Sequence, residues 1–138
     1  MKEIIISFSD PSYILPHPEL NDGLCFRLRN AVSLPRHVQA HSDAVTELAC
    51  CLCNMLESNG YIFDQKLVRS GALLHDIARL QRHHAKTGGE LFLQLGYPEI
   101  SQIISQHHGL LETKLDEAAI VFLADKLIQE TQRVTIEK

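Results

Sequence analysis

Apolar residues recur every three or four positions through most of the chain after residue 33, which is the spacing of one face of an α-helix. A first helix is predicted from Ser33, as its N-cap, to Leu56, with Pro35 in its first turn. Further helices are predicted at about Asp64 to Leu80, His83 to Gly96, Tyr97 to Gly109 and Asp116 to Gln132. Short loops separate them, so the sequence predicts an all-α fold, a compact single-domain bundle of about five core helices.

Residues 1–33 have a weaker pattern. We expect a short strand from Glu3 to Phe8, then a loop that contains prolines, then a helical turn near Cys25 to Asn30. His17 lies between two prolines, which is typical of a surface loop rather than of a metal ligand. The expected division is an N-terminal extension, residues 1–33, that packs on the core, and a helical domain, residues 34–138, that carries the chemistry.

A single polar residue interrupts the apolar stripe of four predicted helices. The stripes are Val38, His41, Val45 and Leu48; Val68, Ala72, His75 and Ala78; Ile100, Ile104, His107 and Leu111; and Val121, Asp125 and Ile128. Burying Asp125 without a partner would cost on the order of several kcal/mol or force it to be protonated, so something must neutralise it. Unprotonated histidines cannot be that cation. Neutral imidazole and carboxylate are ligands of divalent cations. The pattern therefore predicts a metal site between these helices.

Adjacent polar residues can be separated by the helical faces on which they fall. Asp76 points about 100° away from His75, so both reach one ion only if it lies between their directions. His84 belongs to a stripe with Gly88, Leu91 and Leu95, whereas His83 aligns with Thr87, Glu90 and Gln94. We therefore expect His84 to face inward. The pattern favours His107 over His108, which aligns with Ile104 but also with Ser101, Ser105 and Glu112.

Composition narrows the classes of function. The formal net charge is -4, without a long basic run, so no polymeric nucleic acid is expected as a partner, although a short nucleotide is compatible with this charge. The cysteines lack paired CxxC spacing and are interpreted as small core residues in a reducing cytosol, namely Cys25, Cys50, Cys51 and Cys53. The apolar run within the first residues, MKEIIISFSDPS, is too short for the core of a signal peptide or for a membrane span. We expect a cytoplasmic protein without a membrane partner.

The order His41, His75-Asp76, His84, His107-His108 and Asp125 resembles the HD-domain metal-dependent phosphohydrolases, whose pattern is H…HD…D on about five helices. The segments "LLHDIAR", "HAKTGGELF", "IISQHHG" and "VFLADKL" also look like that family's local patterns. The resemblance implies a first metal held by His41, His75, Asp76 and Asp125. It implies a second metal, which shares Asp76 and is held by His84, His107 and His108. One or two divalent transition-metal ions, Fe, Mn, Co, Ni or Zn, are thus expected, and the full ligand set favours two.

The implied activity is hydrolysis of a phosphate monoester or diester through a metal-bound hydroxide. We assign catalytic roles to Asp76 and Arg79, and substrate contacts to Arg79 and Lys126, because cations beside ligand positions can bind phosphoryl oxygens. Arg82, Lys86 and Lys126 are equally compatible with solvated surface charges. The expected substrate is a small phosphorylated molecule such as a nucleotide, and the sequence is compatible with a homo-oligomer.

Three features differ from the patterns of particular relatives. Arg79 follows the HD pair where some relatives have a catalytic lysine or glutamate. The "GYP" of Gly96 to Pro98 precedes the paired histidines, so it is interpreted as a helix stop and start rather than as the cyclic-dinucleotide phosphodiesterase motif. The chain also lacks the large helical additions that form nucleotide pockets in bigger members, which leaves the substrate open.

Two alternative functions are compatible with a similar sequence pattern. Some HD-domain proteins hold a mixed-valent di-iron centre that activates oxygen, and the ligand set of this chain resembles theirs. A non-catalytic nucleotide-sensing HD domain is the other alternative. Such a domain is expected to have lost ligands, and none of the expected ligands is missing from this sequence.

Overall fold

The computed structural model describes residues 18–112, 114–129 and the backbone of 132–133. The predicted strand from Glu3 to Phe8 and His17 lie outside the described residues. Within them the chain forms helices α1 Asp22–Ala31, α2 Arg36–Glu57, α3 Gln65–Leu74, α4 His84–Gln94, α5 Pro98–Gln106 and α6 Glu117–Leu127. A short antiparallel pair follows, β1 Ile128–Gln129 and β2 Gln132–Arg133, with Ile128 opposite Arg133. The predicted all-α class is confirmed.

Most helix starts follow from capping residues in the sequence. Asn21, Asp64 and Asp116 each accept a hydrogen bond from the amide three residues later, at the starts of α1, α3 and α6. Such caps satisfy amides that have no partner inside the helix. α5 begins at Pro98, which lacks an amide hydrogen and so fits a first turn. The predicted starts of α3, α5 and α6 are therefore confirmed, and α1 extends well beyond the helical turn expected there.

A residue with a left-handed backbone follows each of the helices α1, α2 and α4. Gly60 and Gly96 have φ of 96° and 93° after α2 and α4, as their sequence positions indicate. Ser33 was wrongly predicted as the N-cap of α2. It has φ of 54° and ends α1 in the same way, because its amide donates to the Asn30 carbonyl and the Leu34 amide donates to that of Arg29. α2 begins only after Pro35.

The predicted ends of α3 and α6 were also wrong. α3 ends at Leu74 rather than Leu80, and residues 75–80 form tight turns. The His75 imidazole Nδ1 donates to the Ala72 carbonyl at 2.7 Å. In a continuing α-helix this carbonyl would accept from the Asp76 amide instead. α6 ends at Leu127 rather than Gln132, because the β-branched Ile128 is extended, with φ of -112° and ψ of 121°, and pairs with β2.

Two clusters of apolar side chains form the core, and α3 contributes to both. Val68 and Ala72 pack in a cluster with residues of α2 and α6, such as Val45. Leu73 and Leu74 pack in a second cluster with residues of α1, α4 and α5, which include Leu28, Phe92 and Ile104. The end of α3, where His75 and Asp76 stand, therefore lies between the two halves of the core.

Several smaller expectations can be compared with the structure. Leu111 is 79% exposed, so its place in an apolar stripe was wrong, because the helix has already ended at Gln106. Cys25 and Cys53 are buried, and burial raises the pKa of both thiols to about 11. Cys51 is exposed, so the core interpretation was wrong for this residue.

Along residues 18–129, as far as they are described, no helix combines the length and apolar character needed to cross a membrane.

Candidate metal centre

Two buried histidines end helices by the same device. His75 follows α3 and His107 follows α5, and each imidazole Nδ1 bonds the carbonyl three residues earlier, at 2.7 Å for Ala72 and 2.6 Å for Ile104. A carbonyl oxygen only accepts, so each Nδ1 carries the hydrogen. In a neutral ring the other nitrogen, Nε2, then has a free lone pair. The backbone thus fixes both the tautomer and the direction of these rings.

The Nε2 atoms of His75 and His107 are buried and have no hydrogen-bond partner among the described residues. The His107 Nε2 lies 3.4 Å from Asp76 Oδ1, and the His75 Nε2 lies 3.3 Å from Asp125 Oδ1. Buried polar atoms are nearly always paired, and a lone pair directed at a carboxylate is unfavourable without a cation. The arrangement therefore fits a positively charged ligand, and its donor types are those of divalent transition metals.

The donor atoms form two groups that share no residue, and a third set, His75, Asp76 and His107, overlaps both. In the first, the His41 Nε2 lies 2.8 Å from Asp125 Oδ1 and His75 completes the set, with ligand atoms within 4.8 Å of one another. In the second, His84, His107 and His108 meet the same limit, and the Nε2 atoms of His84 and His108 are 3.1 Å apart. Each group can supply three ligands to one ion.

Asp76 lies between the two groups. Its Oδ1 is 3.4 Å from the Nε2 atoms of both His84 and His107. Its Oδ2 is 3.7 Å from the His75 Nε2 and 3.0 Å from the Arg79 Nη1. One carboxylate oxygen therefore faces the second group, while the other faces a member of the first group, which is the position of a bridging ligand.

Both carboxyl groups are ionised at neutral pH despite their burial. Burial opposes ionisation of Asp76, but its contacts with His107 and Arg79 outweigh burial and hold its pKa below the usual range. Burial likewise opposes ionisation of Asp125, and contacts with His41 and His75 lower its pKa further than burial raises it. Two negative charges thus lie within a cluster of imidazole rings.

The histidines of the second group are suited to donate lone pairs. Burial lowers the pKa of His84, and the nearby His108 acts in the same direction. Burial also lowers the pKa of His108, and the nearby His107 and Lys126 act in the same direction. Both rings are therefore neutral at pH 7, which is the protonation state a metal requires.

The sequence profile of the HD domain matches residues 38–129. The chain belongs to the HD domain family. HD domains form a superfamily of metal-dependent phosphohydrolases, and the matched span includes all the predicted ligands.

Relatives of this HD domain include proteins of different length. An uncharacterized protein of Methanocaldococcus jannaschii is 35% identical over 130 residues, covering 80% of this chain and 76% of the relative. Ribonuclease Y of Acidothermus cellulolyticus is 33% identical over 117 residues, covering 80% of this chain but 23% of the relative. Ribonuclease Y of Wolinella succinogenes is 30% identical over 146 residues, and this chain spans 27% of its length. No solved structure matches the chain significantly.

In this HD domain His84 faces inward and His83 faces solvent, as predicted, although His83 precedes the helix. His84 opens α4 and faces Asp76, with a side chain 19% exposed. His83 is exposed and has a left-handed backbone, with φ of 52° and ψ of 50°. Its side chain is not a member of either donor group.

The predicted substrate-binding cations occupy different places. Arg79 lies in the turns after α3, not on the helix as expected, and its half-exposed side chain donates from Nη1 to Asp76 Oδ2. Lys126 is exposed, with its Nζ 5.3 Å from the centroid of the Phe122 ring. Arg82 and Lys86 are exposed as well. Among these side chains, Arg79 alone donates a hydrogen bond to a candidate ligand within the described residues.

Arg29, which sequence reasoning did not select, holds the start of α2 where His41 stands. Its side chain is almost completely buried and donates to Asp43 Oδ1 at 2.8 Å and to Gln39 Oε1 at 3.1 Å. α2 has no side-chain N-cap, so these bonds to α1 fix its first turns instead. No helical spacing relates Arg29 to Asp43, because the two residues lie on different helices, so periodicity could not indicate this contact.

His37 was also missed, although it precedes His41 by four residues and therefore shares its helical face. His37, Val38, His41 and Arg79 line a cleft of about 160 Å³. A larger cavity of about 360 Å³ is lined mainly by apolar residues, such as Val32, Ile77 and Leu91, and by none of the candidate ligands. Because none of the described residues that line it is cationic, the larger cavity is a poor match for phosphate.

Proposed function

We propose that this protein hydrolyses phosphoric esters of small molecules in a metal-dependent reaction. The observation that carries the proposal is the pair of buried Nε2 lone pairs, on His75 and His107, directed at ionised carboxylates without a hydrogen-bond partner among the described residues. Membership of the HD domain family supports the same reaction class.

In this proposal the two donor groups hold two divalent ions. The first ion would be held by His41, His75 and Asp125, the second by His84, His107 and His108, with Asp76 shared between them. The mixture of imidazole and carboxylate suits Fe, Mn, Co, Ni or Zn. When bound, such ions lower the pKa of a coordinated water and stabilise charge on phosphoryl oxygens.

The protein's own side chains would prepare the site in two ways. The Nδ1 bonds to backbone carbonyls hold His75 and His107 in fixed orientations, so little reorganisation is needed when ligands bind. Burial of Asp76, whose side chain is 3% exposed, excludes water and strengthens the local electrostatic interactions.

Arg79 would bind the phosphoryl group. Its guanidinium has five N–H donors, and the described residues use one of them, for Asp76. The side chain is 50% exposed at the edge of the site, so substrate can reach the remaining donors. A planar guanidinium also matches two phosphate oxygens at once, which favours this role over a purely structural one.

The relatives of this chain differ from it in length, so their names do not identify its substrate. Ribonuclease Y proteins, as their name says, act on RNA, but this chain spans only 23% of one of them. The net charge of -4 favours a small ester over a polymer here, because binding a nucleic-acid backbone depends on many basic contacts.

A screen of the purified protein tests the proposed reaction. Chelated protein, supplied in turn with Mn²⁺, Co²⁺, Ni²⁺, Fe²⁺, Zn²⁺ and Mg²⁺, would be assayed on p-nitrophenyl phosphate, nucleoside monophosphates, cyclic dinucleotides, dinucleoside polyphosphates and a short RNA. We expect phosphate-ester hydrolysis that disappears on chelation and returns with a transition metal. Undiminished hydrolysis after complete chelation would contradict the proposal, and preference for RNA would replace the small-molecule substrate.

Replacing Arg79 with alanine is expected to lower kcat/KM by about tenfold or more, because a charge-assisted phosphate contact is lost. The metal-to-protein ratio should stay at the wild-type value, since a guanidinium is not a ligand. Steady-state kinetics and elemental analysis measure both effects. Arg82→Ala is the control, because Arg82 is exposed and nearby but makes no contact with Asp76; equal losses for both variants would assign Arg79 to general electrostatics.

A further inference from the structure

The cleft beside the first donor group has a histidine that the proposed mechanism has not used. His37 lies one helical turn before His41 on α2, and both line this cleft of about 160 Å³ together with Val38 and Arg79. The volume is roughly five times the share of one water molecule in the liquid, so a phosphate group has room there. The cleft thus joins a candidate ligand, His41, to a cation and an additional imidazole.

The polar groups of this cleft are suited to an anion. Arg79 supplies a permanent positive charge. His37 is exposed, and no other described residue hydrogen-bonds its imidazole. A neutral imidazole always has one N–H donor, so His37 can donate to an oxygen without being protonated. The described residues that line the cleft include no carboxylate, so a bound phosphate would not contact a negative side chain among them.

We propose that His37 and Arg79 form a phosphate-binding subsite beside the metal centre, in which His37 donates a hydrogen bond to a peripheral phosphate oxygen of the substrate. The inference rests on the proposed function, because it adds a substrate contact to that reaction. Val38 is buried and apolar and supplies one wall. Because His37 belongs to none of the donor groups, it acts on substrate affinity and not on metal binding.

The test measures binding of inorganic phosphate to the metal-loaded protein by isothermal titration calorimetry. His37→Ala is expected to weaken phosphate binding about tenfold, as expected for loss of a hydrogen bond to a charged group. His37→Gln keeps an N–H donor and is expected to remain within about threefold of wild type. Metal-to-protein ratios should be equal in all variants, because His37 lies outside both donor groups.

Arg36→Ala provides the matched control. Arg36 is exposed and adjacent in sequence but does not line the cleft, so its removal changes the charge of the same helical turn without removing a contact. An Arg36→Ala variant that loses as much phosphate affinity as His37→Ala would overturn the proposal, as would a His37→Ala variant with wild-type affinity.

The outcomes separate this inference from the proposed function. Wild-type protein that binds phosphate in a His37-dependent way but hydrolyses no ester would retain the subsite and refute the hydrolase. Normal hydrolysis with unchanged phosphate affinity and KM in His37→Ala would refute the subsite and retain the hydrolase. Metal-loaded wild-type protein that binds no phosphate would refute the subsite, whereas the hydrolase is decided by ester turnover alone.

Discussion

Asp76→Asn is expected to reduce phosphate-ester hydrolysis by at least about 100-fold and to lower the metal content, with little change in helicity. Asp76 stands between the two donor groups, 3.4 Å from the Nε2 atoms of His84 and His107. An amide has the same shape but no charge, so it can neither neutralise one ion nor bridge two. Because burial opposes ionisation of Asp76 while its contacts lower its pKa, the native side chain supplies a full negative charge at neutral pH.

Asp116→Asn provides the control for this substitution. Asp116 caps α6 by accepting from the Ala119 amide, and asparagine caps helices about equally well. The control therefore removes one negative charge from the domain without altering the site, and its activity and metal content should match those of wild type. Turnover of Asp76→Asn close to the wild-type rate would refute a metal-dependent hydrolase built on this carboxylate.

His84→Ala is expected to reduce the metal-to-protein ratio from about two to about one. His84 belongs to the second donor group, with His107 and His108, and takes no part in the group that contains His41. Removing one ligand of a two-ion site should release that ion and leave the other bound. The protein should remain folded, because His84 lies at the start of α4, but hydrolysis should fall sharply for lack of the second charge.

His83→Asn serves as the control for His84→Ala. His83 is exposed and left-handed, with φ of 52°, and asparagine tolerates that backbone better than alanine does. Elemental analysis of the two purified variants is sufficient. Loss of an ion in His83→Asn would contradict the orientation of the pair, whereas one ion in both wild type and His84→Ala would make the site mononuclear.

The sequence predicted the side of each helix more reliably than its ends. The apolar stripes correctly placed His41, His84 and His107 among other candidate ligands, because burial follows the 3.6-residue period. Starts marked by Asp64 and Asp116 were also correct, since capping is a local interaction between neighbouring residues. Local patterns therefore contained most of the information about which polar residues meet.

Helix ends set by tertiary interactions were not predictable. The end of α3 depends on the His75 ring taking the Ala72 carbonyl, and periodicity alone cannot distinguish this from a continuing helix. Ser33 ends α1 in a conformation that usually favours glycine. Serine is more common as an N-cap, so the residue type predicted a helix start at this position. The strand at Ile128 forms through pairing with residues beyond the helix.

Contacts between distant parts of the chain were also not predicted from the sequence. Arg29 bonds Asp43 across two helices, and Arg79 and His37 line one cleft from separate elements. Each of these residues is an ordinary surface charge or imidazole in the sequence. Only the packing of α1, α2 and the turns after α3 brings them to the side of the candidate metal centre.

Anomalous X-ray scattering from crystals of the metal-loaded protein tests the central claim most directly. Data collected on both sides of the absorption edge of the bound metal locate ions independently of activity. We expect two anomalous peaks that flank Asp76, one next to His41, His75 and Asp125 and the other next to His84, His107 and His108. A fully loaded protein with no peak beside Asp76, or with its ions bound elsewhere, would contradict the account.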